Sequence, residues 1–252
     1  MEELTNQAVA ALLVSLRIAP AFAFAPPFTL LRVPTIVRVM LAVMLAGWLV
    51  AAHPQQTWQS DFWSRGLFLT ALAELLMGIG LALTLQIAFA ALLTAGRAID
   101  IQAGFGLAVL IDPTTRSQMP LVGTLFAYAA GAIFFATEGP ADLLAIWSAS
   151  VAQVPLGAAV LGGDAVRAVI TYMSAVFVMG FGAAGLVMLV LFVIDLAVAF
   201  MSRTLPQMNV LLLGFQVKTL AVLAILPLAI ALSAALFLRM LRFALQTAAE
   251  LI

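Results

Sequence analysis

The stretch Arg203-Thr-Leu-Pro-Gln-Met-Asn-Val-Leu-Leu-Leu-Gly-Phe-Gln-Val-Lys218 is the one place where Arg, Pro, Gln, Asn, Gly and Lys crowd between two long apolar runs. Before it, residues 187–201 are interrupted only by Asp195; after it, residues 220–238 carry no charge. Pro206 marks a turn between two membrane-length helices, and Asn209 and Lys218 project from the start of the second. The bilayer core offers polar groups no partner, so such side chains need protein or water around them. Something is therefore meant to pack here. The stretch dictates an all-α, multi-pass membrane protein built from long, kinked helical hairpins.

Composition agrees. Of 252 residues, 65% are hydrophobic and 9% charged, with a mean hydropathy of +1.19, whereas a soluble domain carries about 25% charged residues. Zero formal charge supplies no basic field for nucleic acid. No cysteine is present, which removes thiolate and disulfide chemistry. The first basic residue, Arg17, already lies inside the apolar run. A signal peptide carries its basic residues ahead of that run, so no cleavage is expected.

Outward from the opening stretch, about six apolar segments can be drawn, and their irregularity is informative. Residues 8–31 hold Arg17, Pro20 and Pro26-Pro27-Phe28, which predicts a helix broken at Pro20 and ended at the proline pair. Pro34 suits the first turn of the next helix, residues 36–52, which is barely long enough to span. His53 precedes Pro54 and reads as a turn residue without a role, while Trp58, Phe62 and Trp63 suggest an interfacial segment. Residues 67–95 read as the longest clean helix, with Glu74 and Gln86 inside it. Glu74 is either a relay or ion-binding carboxylate, or one half of a buried ion pair with Arg17 or Lys218. The pair is the preferred reading, because the same helix offers no second intramembrane acid.

Residues 97–119 read as a connector. Gly104 and Gly106 loosen any helix there and Asp112-Pro113 favours a turn, yet Phe105, Leu107, Val109, Leu110 and Ile111 are apolar. An apolar loop must be buried, under neighbouring helices or in the central hole of an assembly. Residues 121–137 form a further span, followed by a turn over residues 138–142 and a short helix over residues 143–150. Pro155 and Gly162-Gly163 interrupt the chain, with Asp164 placed to cap the next helix. Residues 165–201 are too long for one straight span and too short for two; a lead-in carrying Arg167 and a weak point at Gly180–Gly185 are expected. Residues 208–238 should kink at Pro227 and end at Arg239 and Arg242. Arginines divide almost evenly between the two sets of connectors, so no orientation follows.

Gly180-Phe-Gly-Ala-Ala-Gly185 matches the dinucleotide-binding pattern in letters only. It lacks the strand before it and the acid about 20 residues on, and close helix packing explains it better. No paired carboxylates, metal-ligand cluster, phosphate loop or nucleophile-base set is visible. Neither enzyme activity, cofactor nor metal is expected. Scattered methionines such as Met77, Met119 and Met188 suit adaptable packing.

The stretch from Arg203 to Lys218 resembles the Arg-x-x-Pro-Gln-Met-Asn-Val-x-x-x-Gly-Phe-x-x-Lys segment of the FliR family, which includes the SctT counterparts of virulence-associated type III secretion. Support comes from Arg17-Ile-Ala-Pro20 with Pro26-Pro27-Phe28, from Arg32-Val-Pro-x-x-x-Arg38, and from the apolar loop. Gln216 departs from the pattern, many relatives having Pro there, which leaves the start of the last segment more regularly helical. The resemblance implies a subunit of the flagellar export gate in the bacterial inner membrane, within the flagellum basal body. There, FliP-type and FliQ-type subunits would share a helical hetero-oligomeric assembly with it, with an FlhB-type subunit alongside. Unfolded flagellar chains would pass through the centre, driven by partner proteins and the proton-motive force. Residues 1–160 would be FliP-like and residues 161–252 a FliQ-like hairpin within a single domain. Residues 104–119 would plug the closed channel: Phe105, Leu107, Leu110 and Ile111 by apolar contact, Gly104, Gly106 and Pro113 by setting the loop shape, flanked by Asp112 and Met119. Arg203, Pro206, Gln207, Asn209, Gly214, Phe215 and Lys218 would make subunit contacts, and Arg17, Glu74, Gln86 and Asp195 are the intramembrane polar groups. A secondary transporter or channel for a small solute is the rival reading, but no internal repeat between halves supports it.

Overall fold

The computed structural model describes residues 2–30, 33–58, 66–105, 121–158, 163–204 and 210–252. Among these it contains eight α-helices and no strand: α1 (Glu2–Phe24), α2 (Thr35–Ala52), α3 (Pro54–Trp58), α4 (Leu67–Ala103), α5 (Leu121–Ala136), α6 (Gly139–Gln153), α7 (Gly163–Thr204) and α8 (Val210–Glu250). Helices α1, α2, α4, α7 and α8 are long and apolar enough to cross a membrane, and the bent pair α5–α6 makes a sixth candidate. The protein is an all-α, multi-pass membrane protein.

Several helix ends depart from the sequence expectation, for one physical reason. α1 passes through Pro20 without a break and ends before Pro26-Pro27. α4 continues eight residues past Ala95, through Arg97 and Asp100, to Ala103. It is also shorter, at 37 residues, than α7 at 42 and α8 at 41. Residues 180–185 form no weak point, and α8 runs past Arg239 and Arg242 to Glu250. Glycine weakens a helix largely by exposing its backbone to competing water, and apolar surroundings remove that competitor. Charged residues end an apolar span, but a helix ends only where its backbone hydrogen bonds end. The turn after α5 is shorter than expected, with α6 starting at Gly139 and Pro140 in its first turn. Pro34 sits one position outside α2, and Asp164 lies inside the first turn of α7.

The chain forms two compact units. The first comprises Met1–Ala88, Phe134–Ser174 and Leu241–Ile252. Its interior includes Val14, Ile18, Leu49, Leu81, Leu85, Phe134 and Trp147. Phe22 packs on Phe28 at 4.8 Å and on Trp147 at 5.6 Å. Gly78 allows α1 to touch α4, since a Cβ there would lie 2.4 Å from the Arg17 carbonyl oxygen. Arg38 donates to the carbonyls of Phe22 and Ala23 at 3.4 and 3.3 Å, closing the C-terminal end of α1. His53 follows α2 with Nδ1 3.2 Å from the Leu49 carbonyl and Nε2 3.4 Å from Ser148 Oγ.

The second unit comprises Phe89–Ile133 and Ala175–Met240. Phe126 and Phe237 meet at 5.6 Å in its core, and Phe89, Leu92, Val122, Val176 and Leu191 are also buried in this unit. α7 approaches α4 at Gly180, where a Cβ would stand 3.1 Å from the Ala91 carbonyl. Gly182 and Gly185 face open space, so only one glycine of that cluster serves close packing. Burial is uneven. In the most apolar windows 61% of α4 is covered but only 17% of α7, so α7 leaves an apolar surface for lipid or another subunit to cover.

Candidate functional site

Two polar clusters interrupt the apolar interior, one in each unit. In the first, α1 supplies Arg17 and α4 supplies Glu74, both with fully buried side chains. Arg17 Nε donates to Glu74 Oε2 at 2.7 Å. Its Nη1 donates to the Ser150 carbonyl at 2.6 Å, and Nη2 to the Val154 carbonyl at 3.3 Å. The guanidinium thus closes the C-terminal end of α6, where the helix dipole favours a cation. The second carboxylate oxygen, Glu74 Oε1, accepts from the Gly157 amide at 2.8 Å. Gly157 itself has φ +77°, a left-handed conformation that L side chains rarely adopt. Both carboxylate oxygens are engaged, which makes the cluster a joint between α1, α4 and the end of α6. Gln86, on α4, keeps its Oε1 buried without a partner.

The second cluster surrounds the end of α4. Ala103 is the last helical residue, and Gly104 turns left-handed at φ +87°. The Gly104 amide donates to the Ile101 carbonyl at 3.1 Å, and the Phe105 amide to the Asp100 carbonyl at 2.9 Å. This pair of bonds is the Schellman stop, which needs glycine at that position. Lys218 Nζ donates to the Gln102 carbonyl at 3.0 Å, and its charge pairs with Asp195 on α7. Gln102 in turn donates Nε2 to the Met188 carbonyl at 3.2 Å, while its Oε1 has no partner. Asp100 accepts the Val122 amide at 3.2 and 3.3 Å, satisfying an otherwise orphaned donor at the start of α5.

Phe215 completes this arrangement. A side chain at Gly104 would meet its ring at 3.3 Å. Gly104→Ala is therefore expected to cost about 1–2 kcal/mol, from the left-handed backbone and the displaced ring. Thermal unfolding in detergent measures it; an unchanged midpoint would show that the stop tolerates a Cβ.

Of the remaining residues singled out in the sequence, Gly214 is buried against Val198 and Arg203 is exposed at the end of α7. Pro206, Gln207 and Asn209 lie outside the described residues, as do Gly106, Leu107, Leu110, Ile111, Asp112, Pro113 and Met119. So do Phe62 and Trp63. Asp100, Gln102, Ser150 and Gly157 were missed by the sequence reading. Gly104 followed by an apolar residue was the available signal for the helix stop, and Gly157 two residues after Pro155 for the turn. Among the described residues, no three of His, Asp and Glu gather as a metal site would require.

The model of the bacterial export proteins, family 1, matches residues 8–244. The flagellar biosynthetic protein FliR of Bacillus subtilis (strain 168) is 31% identical over 211 residues, which is 82% of this chain and 80% of that protein. FliR of Escherichia coli (strain K12) is 28% identical over 200 residues, 79% and 76% of the two chains. A third FliR, from Pectobacterium carotovorum subsp. carotovorum, is 27% identical over 201 residues, 80% and 76%. Both polar clusters lie within the matched region, and by that match this chain belongs to the bacterial export proteins, family 1, the FliR family.

Proposed function

We propose that the protein is a non-enzymatic subunit of the flagellar export gate, in which residues 104–119 plug a channel for unfolded flagellar proteins. FliP-type and FliQ-type subunits would complete that channel in the inner membrane at the flagellum basal body, with an FlhB-type subunit beside it. The plug would block by apolar contact and be displaced for export. Residues 1–160 and 161–252 would pack as FliP-like and FliQ-like parts.

One observation carries this reading: the root of the loop is fastened by the signature stretch. Lys218 holds the last-turn carbonyl of α4, and Phe215 lies against Gly104, where the chain leaves the helix. Residues that look like subunit contacts in the sequence thus also hold the end of α4 from which the chain enters that loop. The sparsely buried α7 supports a chain completed by other subunits.

The test is deletion of residues 107–111, with ion leakage and export measured in cells carrying the rest of the apparatus. Leakage from an intact assembly is the expected result. An intact assembly with no leak and normal export would sink the plug while leaving gate membership standing. Where the deletion prevents assembly, Lys218→Met replaces it, and leakage is again expected because the loop root loses its anchor.

A further inference from the structure

Asp195 is the only charged residue between 187 and 201, on a helix that the fold covers sparsely. Its Oδ1 pairs with Lys218, whose ammonium also donates to the Gln102 carbonyl. The pair is shielded unevenly. The Lys218 side chain is 18% exposed and that of Asp195 41%. Among the described residues no donor reaches Asp195 Oδ2. An ionised carboxylate accepts through both oxygens, and hydrocarbon offers no donor. The free oxygen therefore calls for a donor that the described residues do not supply.

The surface beside it gives the shape of what carries that donor. Gly185, Phe192 and Ala199 are seven residues apart and all exposed, so they fall close to one line along α7. Asp195 lies three residues after Phe192 and four before Ala199, the spacings at which helix side chains are neighbours. Nothing lies within 4 Å of a Cβ at Gly185, so a second helix can approach closely there. Leu191, four residues before Asp195, is buried. Asp195 thus stands at the edge where the covered face of α7 gives way to the exposed stripe, with Oδ1 already taken.

We infer that this stripe docks a transmembrane helix of another subunit carrying a neutral carboxamide, Asn or Gln, whose N–H donates to Asp195 Oδ2. The inference deepens the gate-subunit reading and rests on it for the occupant being a helix of another subunit. Charge decides the chemistry of the donor. Asp195 and Lys218 sum to zero, so a carboxamide satisfies the oxygen and leaves the site neutral. A Lys or Arg would leave one uncompensated charge in hydrocarbon, and an acid would meet a like charge. A hydroxyl has a single hydrogen, which on a helix is given to its own backbone, as Thr171, Ser174 and Thr219 give theirs here.

The probe is a host peptide of ~20 leucines and alanines with one central Asn, compared with versions carrying Leu, Lys or Asp at that position. The full chain, labelled at its N-terminus, is placed in phosphatidylcholine vesicles, and energy transfer from labelled peptide is titrated. The Asn peptide should bind about tenfold more tightly than the Leu peptide, within the range for hydrogen bonds between membrane helices. The Lys and Asp peptides should bind more weakly than the Asn peptide. Asp195→Leu with Lys218→Met should erase the Asn preference without stranding a charge. Gly185→Leu, at a position with open space around it, should weaken Asn-peptide binding by closing the stripe. Size-exclusion chromatography checks that both variants stay folded. Equal binding of the Asn and Leu peptides would overturn the inference, as would tightest binding of the Lys peptide. So would an Asn preference that survives the double substitution, or Gly185→Leu without effect. Loss of the preference when phosphatidylethanolamine replaces phosphatidylcholine would overturn it too, since a lipid ammonium would then be the donor. Neither leakage nor export is read, so failure here leaves the plug standing, and failure of the plug leaves the Asn preference standing.

Discussion

Glu74→Ala should destabilise the protein by about 3–5 kcal/mol, the range for removing one partner of a buried ion pair. The size follows from what remains. Arg17 stays fully buried and cannot shed its proton, and the Gly157 amide loses its acceptor. The same change moves the segment after α6, because Glu74 is what holds Gly157 against the start of α4. Glu74→Gln should cost less, since the amide oxygen can still accept from Gly157 while the charge attraction is lost. The informative variant is the double replacement Arg17→Met with Glu74→Leu. Volume is nearly kept and neither charge is stranded, so it should cost less than Glu74→Ala alone. Thermal unfolding in one detergent compares the wild type, Glu74→Ala, Glu74→Gln, the single variants Arg17→Met and Glu74→Leu, and the double variant. A double variant that loses the sum of the two single losses would show that the residues do not act as a pair.

That pair was legible in the sequence as an alternative. Arg17 and Glu74 each interrupt an apolar run, and the bilayer forces such groups to find one another. Lys218 was the other candidate partner; the structure gives it Asp195 instead. The all-α, multi-pass architecture was readable from composition and from the stretch Arg203–Lys218. Helix ends were not, and the reason is the solvent. In water, polarity marks where a helix leaves the core; here Arg97, Asp100, Arg239 and Arg242 all lie within helices. Which glycines matter was equally hidden. Gly180, Gly182 and Gly185 look alike in sequence, yet only Gly180 lies against another helix. The stop at Gly104 was half-read: the glycine was noticed as a loosening residue, but its bonds back to Ile101 and Asp100 depend on geometry the letters do not carry.

Gly96→Ala should be the most damaging small substitution in the second unit. A Cβ at Gly96 would lie 2.1 Å from Gly123 Cα and 2.2 Å from Gly123 N, with the Val122 carbonyl carbon at 2.8 Å. All three are backbone atoms, so no rotamer change relieves the clash, and α4 and α5 must move apart by more than about 1 Å to restore ordinary contact at ~3.5–4.0 Å. Such a shift also stretches the bonds from the Val122 amide to Asp100, already 3.2 and 3.3 Å long. The expected cost is about 3 kcal/mol or more, at or above the top of the usual range for overpacking. Gly182→Ala is the matched control. It adds the same methyl group to a helix where nothing lies within 4 Å, so it should be neutral or stabilise by up to ~1 kcal/mol through helix propensity. If the two variants unfold at the same temperature, the α4–α5 approach is not a tight constraint. The consequence reaches the loop itself: α4 delivers one end of it and α5 takes up the other. The Gly96–Gly123 crossing, one turn before the Asp100–Val122 bonds, therefore fixes how far apart those ends stand. On the proposed reading of residues 104–119 as a plug, a subunit that assembles with Gly96→Ala should leak ions as one with Lys218→Met would, since each change releases one end of that loop.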